Sequence, residues 1–167
     1  GRILTGVLDL DRRLRAGRGH LLLGTGTVHA SLIEGGQELS TYPARCLVTV
    51  ERRTIPGENG ATALQEIEHL IANARTQDPA LEATVKLILE RPSSQLGADS
   101  FVTEAVEEAA VAVLKRQPDV IGVSYWMDMS LSDAVGNRTD AVGTAGAGAQ
   151  PGCAGGVLGA PKPVRAV

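Results

Sequence analysis

Aromatic residues are almost absent from this chain: Tyr42, Phe101, Tyr125 and Trp126 are all that 167 residues contain. Any core must therefore be built from Leu, Val, Ile and Ala, and stacking platforms for nucleic-acid bases are lacking. Positive charge is not in excess either. Sixteen Lys and Arg stand against 19 Asp and Glu, a net charge of −3, so no basic face invites nucleic acid or anionic lipid. No apolar run approaches the roughly 20 residues of a membrane span. The two cysteines, Cys46 and Cys153, give neither a disulfide framework nor metal-ligand spacing. A reducing, cytoplasmic setting follows, with Cys46 read as a small buried hydrophobe on a strand. The opening GRILTGVLDLDRR mixes acids with apolar residues, unlike a secretory signal, and has no initiator Met, which fits a processed or partial chain.

What is present has clear periodicity. Ile3, Leu4, Val7, Leu8, Leu10 and Leu14 recur at helical spacing over 3–16, with arginines crowding the later turns and Gly17 as a stop. Residues 25–33 read as a strand with Val28, Ala30 and Leu32 on one face, ended by Gly35-Gly36. Residues 44–53 read as a second strand, with Cys46, Val48 and Val50 opposite Leu47, Thr49, Glu51 and Arg53, stopped by Pro56-Gly57. A helix over 61–75 carries the stripe Leu64, Ile67, Leu70, Ile71 and Ala74, and 81–89 alternate as a third strand. The order α-β-β-α-β lacks one leading strand of a β-α-β-β-α-β sandwich. After a linker at 93–97, an amphipathic helix over 101–116 and the apolar run 119–125 predict entry into an α/β domain with a buried parallel strand. Residues 136–167 are dominated by Gly, Ala, Pro and Val without period, and no packed element is predicted there.

The stretch HLLLGTGTVHASLIEGGQELSTYPARCLVTVERRTIPGEN resembles the metal-dependent amidohydrolases of the acetylornithine deacetylase, succinyl-diaminopimelate desuccinylase, aminoacylase and carboxypeptidase family. The resemblance extends from about residue 3 to about residue 132. It implies an α+β chain: a ferredoxin-like lid or dimerisation domain over 1–92, its first strand missing, and a partial α/β catalytic-domain segment over 98–135. It implies homodimerisation through the lid, a small amide substrate, and zinc in the complete enzyme.

The resemblance also singles out residues. Arg53 closes the family's pattern of acid, any residue, Arg, and would grip a substrate carboxylate with paired hydrogen bonds. From the residues alone, a strand-end arginine paired with Glu51 or Glu58 is the alternative. Ser40 takes the place of an Asn that contacts substrate in several relatives. Asp128, in Trp126-Met127-Asp128, matches the acid after a catalytic-domain strand, or else caps a helix. The family's zinc ligands and catalytic Glu are unmatched, and Gln150 stands where a late His ligand is expected. No catalytic or metal residue is therefore assigned, and His20, His29 and His69 form no ligand set by spacing. Two other functions fit the residues: a non-catalytic interaction module pairing through an exposed sheet edge, or a stand-alone small-molecule-binding sandwich, which requires 98–135 to pack onto the first sheet.

Overall fold

In a computed structural model, residues 1–95 and 100–125 are described in full and 161–166 as backbone. The fold is α+β, as expected. Helix α1 spans Arg2–Ala16, strand β1 Thr27–Gly35, β2 Cys46–Arg53, helix α2 Gly60–Gln77, β3 Val85–Leu87, α3 Phe101–Leu114 and β4 Pro161–Ala166. One four-stranded sheet has the order β1-β2-β4-β3, antiparallel at each pairing. Helices α1 and α2 cover one face.

The core lies between that face and the helices. Val7 and Leu10 of α1, Val28 of β1, Val48 and Val50 of β2, and Ile67, Leu70 and Ile71 of α2 are buried together, with Val85 and Leu87 of β3 packed against them. It is aliphatic, as the composition requires. Gly6 lets the helices approach: a Cβ there would come within 2.6 Å of Leu70 Cγ. Asn59 caps α2 by accepting the Thr62 N–H at 2.9 Å, and Glu90 accepts the Gly60 N–H at 2.9 Å, fixing the chain beyond β3 to the start of α2.

The structure departs from the sequence pattern in five places. The inward phase of β1 breaks at a bulge between Ala30 and Leu32, so Leu32 is exposed instead of continuing the Val28–Ala30 face. Cys46 is exposed, because the hairpin runs past the helices where Leu32 and Ile33 also face solvent. The third strand is only Val85–Leu87, since β4, its partner among the described residues, offers it just three register positions. The run 119–125 is not a buried strand: Val120 and Ile121 are exposed, and only Gly122 forms a bridge. An apolar run becomes a strand only where a neighbouring edge receives it. Finally, Pro161–Ala166 is a strand despite its prolines, placed by the gap between β2 and β3. Gln150 and the rest of 126–160 lie outside the described residues.

Helix α3 ends at Leu114, short of the expected 116, and buries none of its residues, and Val113 is 79% exposed. Ile67→Ala should therefore cost about 2–5 kcal/mol by leaving a cavity, whereas Val113→Ala should stay within about 0.5 kcal/mol. Urea denaturation of the two variants measures the contrast.

Candidate functional site

The two adjacent arginines at the end of β2 have opposite fates. Arg52 has the same parity as Val48 and Val50 and points under α2, where its side chain is 0% exposed. Its Nε donates to Glu66 Oε2 at 2.7 Å, and Nη2 donates to Glu66 Oε1 at 3.1 Å and Glu58 Oε1 at 2.8 Å. Nη1 donates to Glu58 Oε2 at 3.0 Å and to the Arg53 carbonyl. All five guanidinium donors are thus engaged, in two bidentate carboxylate pairs and one backbone bond.

Local sequence delivers each partner. Pro56-Gly57 makes the turn in which the Glu58 N–H donates to the Ile55 carbonyl at 3.0 Å, and Gly57 takes φ +93°, which suits glycine. Glu58 Oε2 also accepts the Ile55 N–H at 2.9 Å. Glu66 comes from the second turn of α2. Gly26 leaves room on the other side: a Cβ there would meet Arg52 Nη1 at 2.5 Å and Glu58 Oε2 at 3.1 Å. Burial disfavours the Arg52 charge, but hydrogen bonds from it to Glu66 and then Glu58 outweigh that and hold its pKa above the ordinary value. The cation persists wherever the protein is folded.

Arg53 points to the opposite, open face and is 49% exposed. Its Nε donates to Glu51 Oε1 at 3.0 Å, and His29 Nε2 lies 3.2 Å from Glu51 Oε2. The ion pair with Glu51 is the alternative considered from sequence, yet it engages only Nε. Both terminal amino groups of Arg53 are without a protein partner among the described residues, so they remain available to an anion.

Ser40 is exposed in the loop beyond the Gly35–Cys46 end of the hairpin, whereas Arg53 sits opposite Thr27 at its other end. Seven strand steps of about 3.3 Å separate those ends, about 23 Å, so the structure does not bring Ser40 and Arg53 together. Asp128 lies outside the described residues. Two open grooves are present. One, about 610 Å³, runs between α1 and α2 past Arg13, Arg18, Glu66 and His69; the other, about 400 Å³, lies beside Tyr42 and Arg45. Neither is lined by Arg53 or Ser40. Among the described residues no three His, Cys, Asp or Glu side chains form a metal-binding group, so this part of the chain gives zinc no donor set.

Sequence reasoning missed the Arg52 clamp, although a signal existed: the alternation that places Val48 and Val50 inward continues to Arg52. It also missed Asp11, whose Oδ1 accepts the Val28 N–H at 3.0 Å and whose Oδ2 takes the Arg15 Nε at 2.6 Å, joining α1 to β1.

With this geometry in place, the similarities to known proteins can be located. Over 84 residues, half of this chain, the sequence is 29% identical to the acetylornithine deacetylase of Myxococcus xanthus, and the match covers 22% of that protein's length. No family model matches, and no solved structure gives a significant match.

Two measurements check the site. Arg52→Met should cost about 3–5 kcal/mol, because Glu58 and Glu66 lose their common cation, while Arg53→Ala should change stability by about 0.5 kcal/mol or less; urea melts read both. Asp11 gives a pH dependence. Burial pushes its pKa up, but the Arg15 hydrogen bond, the Val28 N–H and the Arg15 and His29 charges hold it below the ordinary 3.8. A depressed acid stabilises the fold above its unfolded-state pKa, and that stabilisation fades as pH falls through the folded-state value. Asp11→Asn should therefore lose stability at about pH 7 and differ less from the wild type at about pH 3, by urea midpoints at the two pH values.

Proposed function

We propose that this chain is part of a metal-dependent amidohydrolase acting on N-acyl amino acids or small peptides in a reducing, cytoplasmic setting, and that it supplies substrate-carboxylate recognition and dimerisation. The observation that carries this reading is the 29% identity to an acetylornithine deacetylase across half of the chain. The open guanidinium of Arg53 supports it, since its two terminal amino groups match the spacing of a carboxylate. Arg52 is the wrong arginine for that task because its donors are already engaged. Neither of the two grooves described is lined by Arg53, and capture of substrate in this reading draws on surfaces from the rest of the enzyme, including its zinc-bearing part. No helix among the described residues is long and apolar enough to cross a membrane.

A second reading, a non-catalytic homodimerisation module, is favoured by β1. Among the described residues it is an edge strand with Leu32 and Ile33 exposed, followed by exposed Leu39 and Tyr42. An unpaired, apolar edge invites a second strand. The third possibility, one sandwich that includes 98–135, conflicts with α3, which buries no residue.

Titration with an N-acetyl amino acid, followed on arginine Nε–H resonances, is the direct test of recognition. The free carboxylate should shift Arg53, and the corresponding carboxamide should not; equal responses would remove Arg53 from substrate recognition. Turnover of the same compounds with added zinc should be negligible, and zinc-dependent hydrolysis by the 167-residue protein would overturn the division of labour proposed. Sedimentation should show a dimer that Ile33→Lys shifts to monomer. A wild-type monomer at all concentrations would exclude pairing through β1.

A further inference from the structure

His29 and Arg53 share one carboxylate. Glu51 stands directly across the ladder from His29, and Arg53 across from Thr27, so the three side chains occupy neighbouring positions on the open face of the hairpin. Glu51 gives one oxygen to each neighbour. Its Oε1 accepts from Arg53 Nε at 3.0 Å, and its Oε2 lies 3.2 Å from His29 Nε2. Glu51 is the more covered member, 17% exposed, while His29 and Arg53 are half exposed. The register of β1 on β2 fixes this cluster, and no loop has to close to form it.

The charge of the cluster changes when His29 takes up a proton. With the imidazole neutral, Glu51 cancels the charge of Arg53. With the imidazole protonated, one carboxylate serves two cations, and a full positive charge is left beside the Arg53 amino groups that have no protein partner among the described residues. The surroundings do not offset that charge. Asp11 of α1 is also near His29, but its oxygens are taken by the Val28 N–H at 3.0 Å and Arg15 Nε at 2.6 Å, and Arg15 balances it. On the other side of β2, the residues paired with Glu51 and Arg53 are Pro163 and Pro161, which are uncharged. His20, whose Nδ1 accepts the Leu22 N–H at 3.2 Å, and His69, in the groove between α1 and α2, do not join the cluster.

We propose, resting on the reading of Arg53 as the carboxylate-binding residue, that His29 is a positioning residue for that site. It acts through Glu51, and its protonation strengthens capture of a small carboxylate ligand. Two effects of one sign add. A positive charge about 7 Å from the bound carboxylate, at an effective dielectric between those of a protein surface and bulk water, is worth about three- to tenfold in affinity. A carboxylate shared between two cations also neutralises Arg53 less than one devoted to it.

Titration of the full chain with an N-acetyl amino acid at about pH 5.5 and about pH 7.5, followed on arginine Cζ and histidine ring resonances, tests it. The ligand carboxyl, of pKa about 3.5, is ionised at both values. So is Asp11, held below the ordinary 3.8. The carboxylate should bind at Arg53 about three- to tenfold more tightly at the lower pH. That gap should vanish in His29→Gln, and the matching carboxamide should show neither binding nor gap. Saturating ligand should also keep His29 of the wild type charged to higher pH, because the coupling is reciprocal; this readout needs no variant. An Arg53 that ignores the carboxylate at both pH values would overturn the reading of Arg53 and the role of His29 with it. An Arg53 that responds equally at both, or a His29→Gln protein that keeps the wild-type gap, would overturn the role of His29 alone.

Discussion

One guanidinium holds the described fold together at its most exacting point. Arg52 ends a core-facing row of β2 and joins three separate pieces of chain: the strand itself, the Ile55–Glu58 turn through Glu58, and α2 through Glu66. Burying a cation is costly unless its donors and its charge are both met. Here two carboxylates meet the charge and five acceptors meet the donors. The arrangement also explains two glycines: Gly57 makes the turn that presents Glu58, and Gly26 leaves the space that Arg52 occupies.

This clamp bears directly on the function proposed for Arg53. With Arg52 committed beneath α2, strand alternation puts Arg53 on the open face. Glu51 steadies it through Nε and leaves its terminal amino groups outward. An arginine so placed is oriented but not neutralised in full, which is the condition a carboxylate-binding group needs. Ser40 at the far end of the hairpin cannot share a small ligand with it. Among the described residues, Arg53 thus keeps two terminal amino groups without a protein partner.

Much of this frame was legible in the amino-acid order. Helical spacing in Ile3–Leu14 and Leu64–Ala74 gave α1 and α2, and Gly-Gly with Pro-Gly bracketed the hairpin, because local periodicity and turn chemistry decide such elements. The bulge after Ala30 was not legible, since an extra residue in a strand leaves no mark on composition. Cys46 follows the inward alternation yet is exposed, because alternation says which face a residue takes and not whether a helix covers it. The run 119–125 and β4 failed in opposite directions for one reason. Strand formation depends on a partner edge, which Val120 and Ile121 lack among the described residues and Pro161–Ala166 finds. The resemblance favours Arg53 over Arg52 as the carboxylate-binding residue, while the commitment of Arg52 to two glutamates became visible only in the fold.

The clamp is tested most directly by nitrogen-detected NMR of the arginine side chains without any ligand. Full engagement of five donors should slow rotation about the Arg52 Nε–Cζ bond, so its Nη groups give separate resonances protected from water, while Arg53 gives one averaged signal. An averaged Arg52, or a restrained Arg53 in its place, would contradict the account.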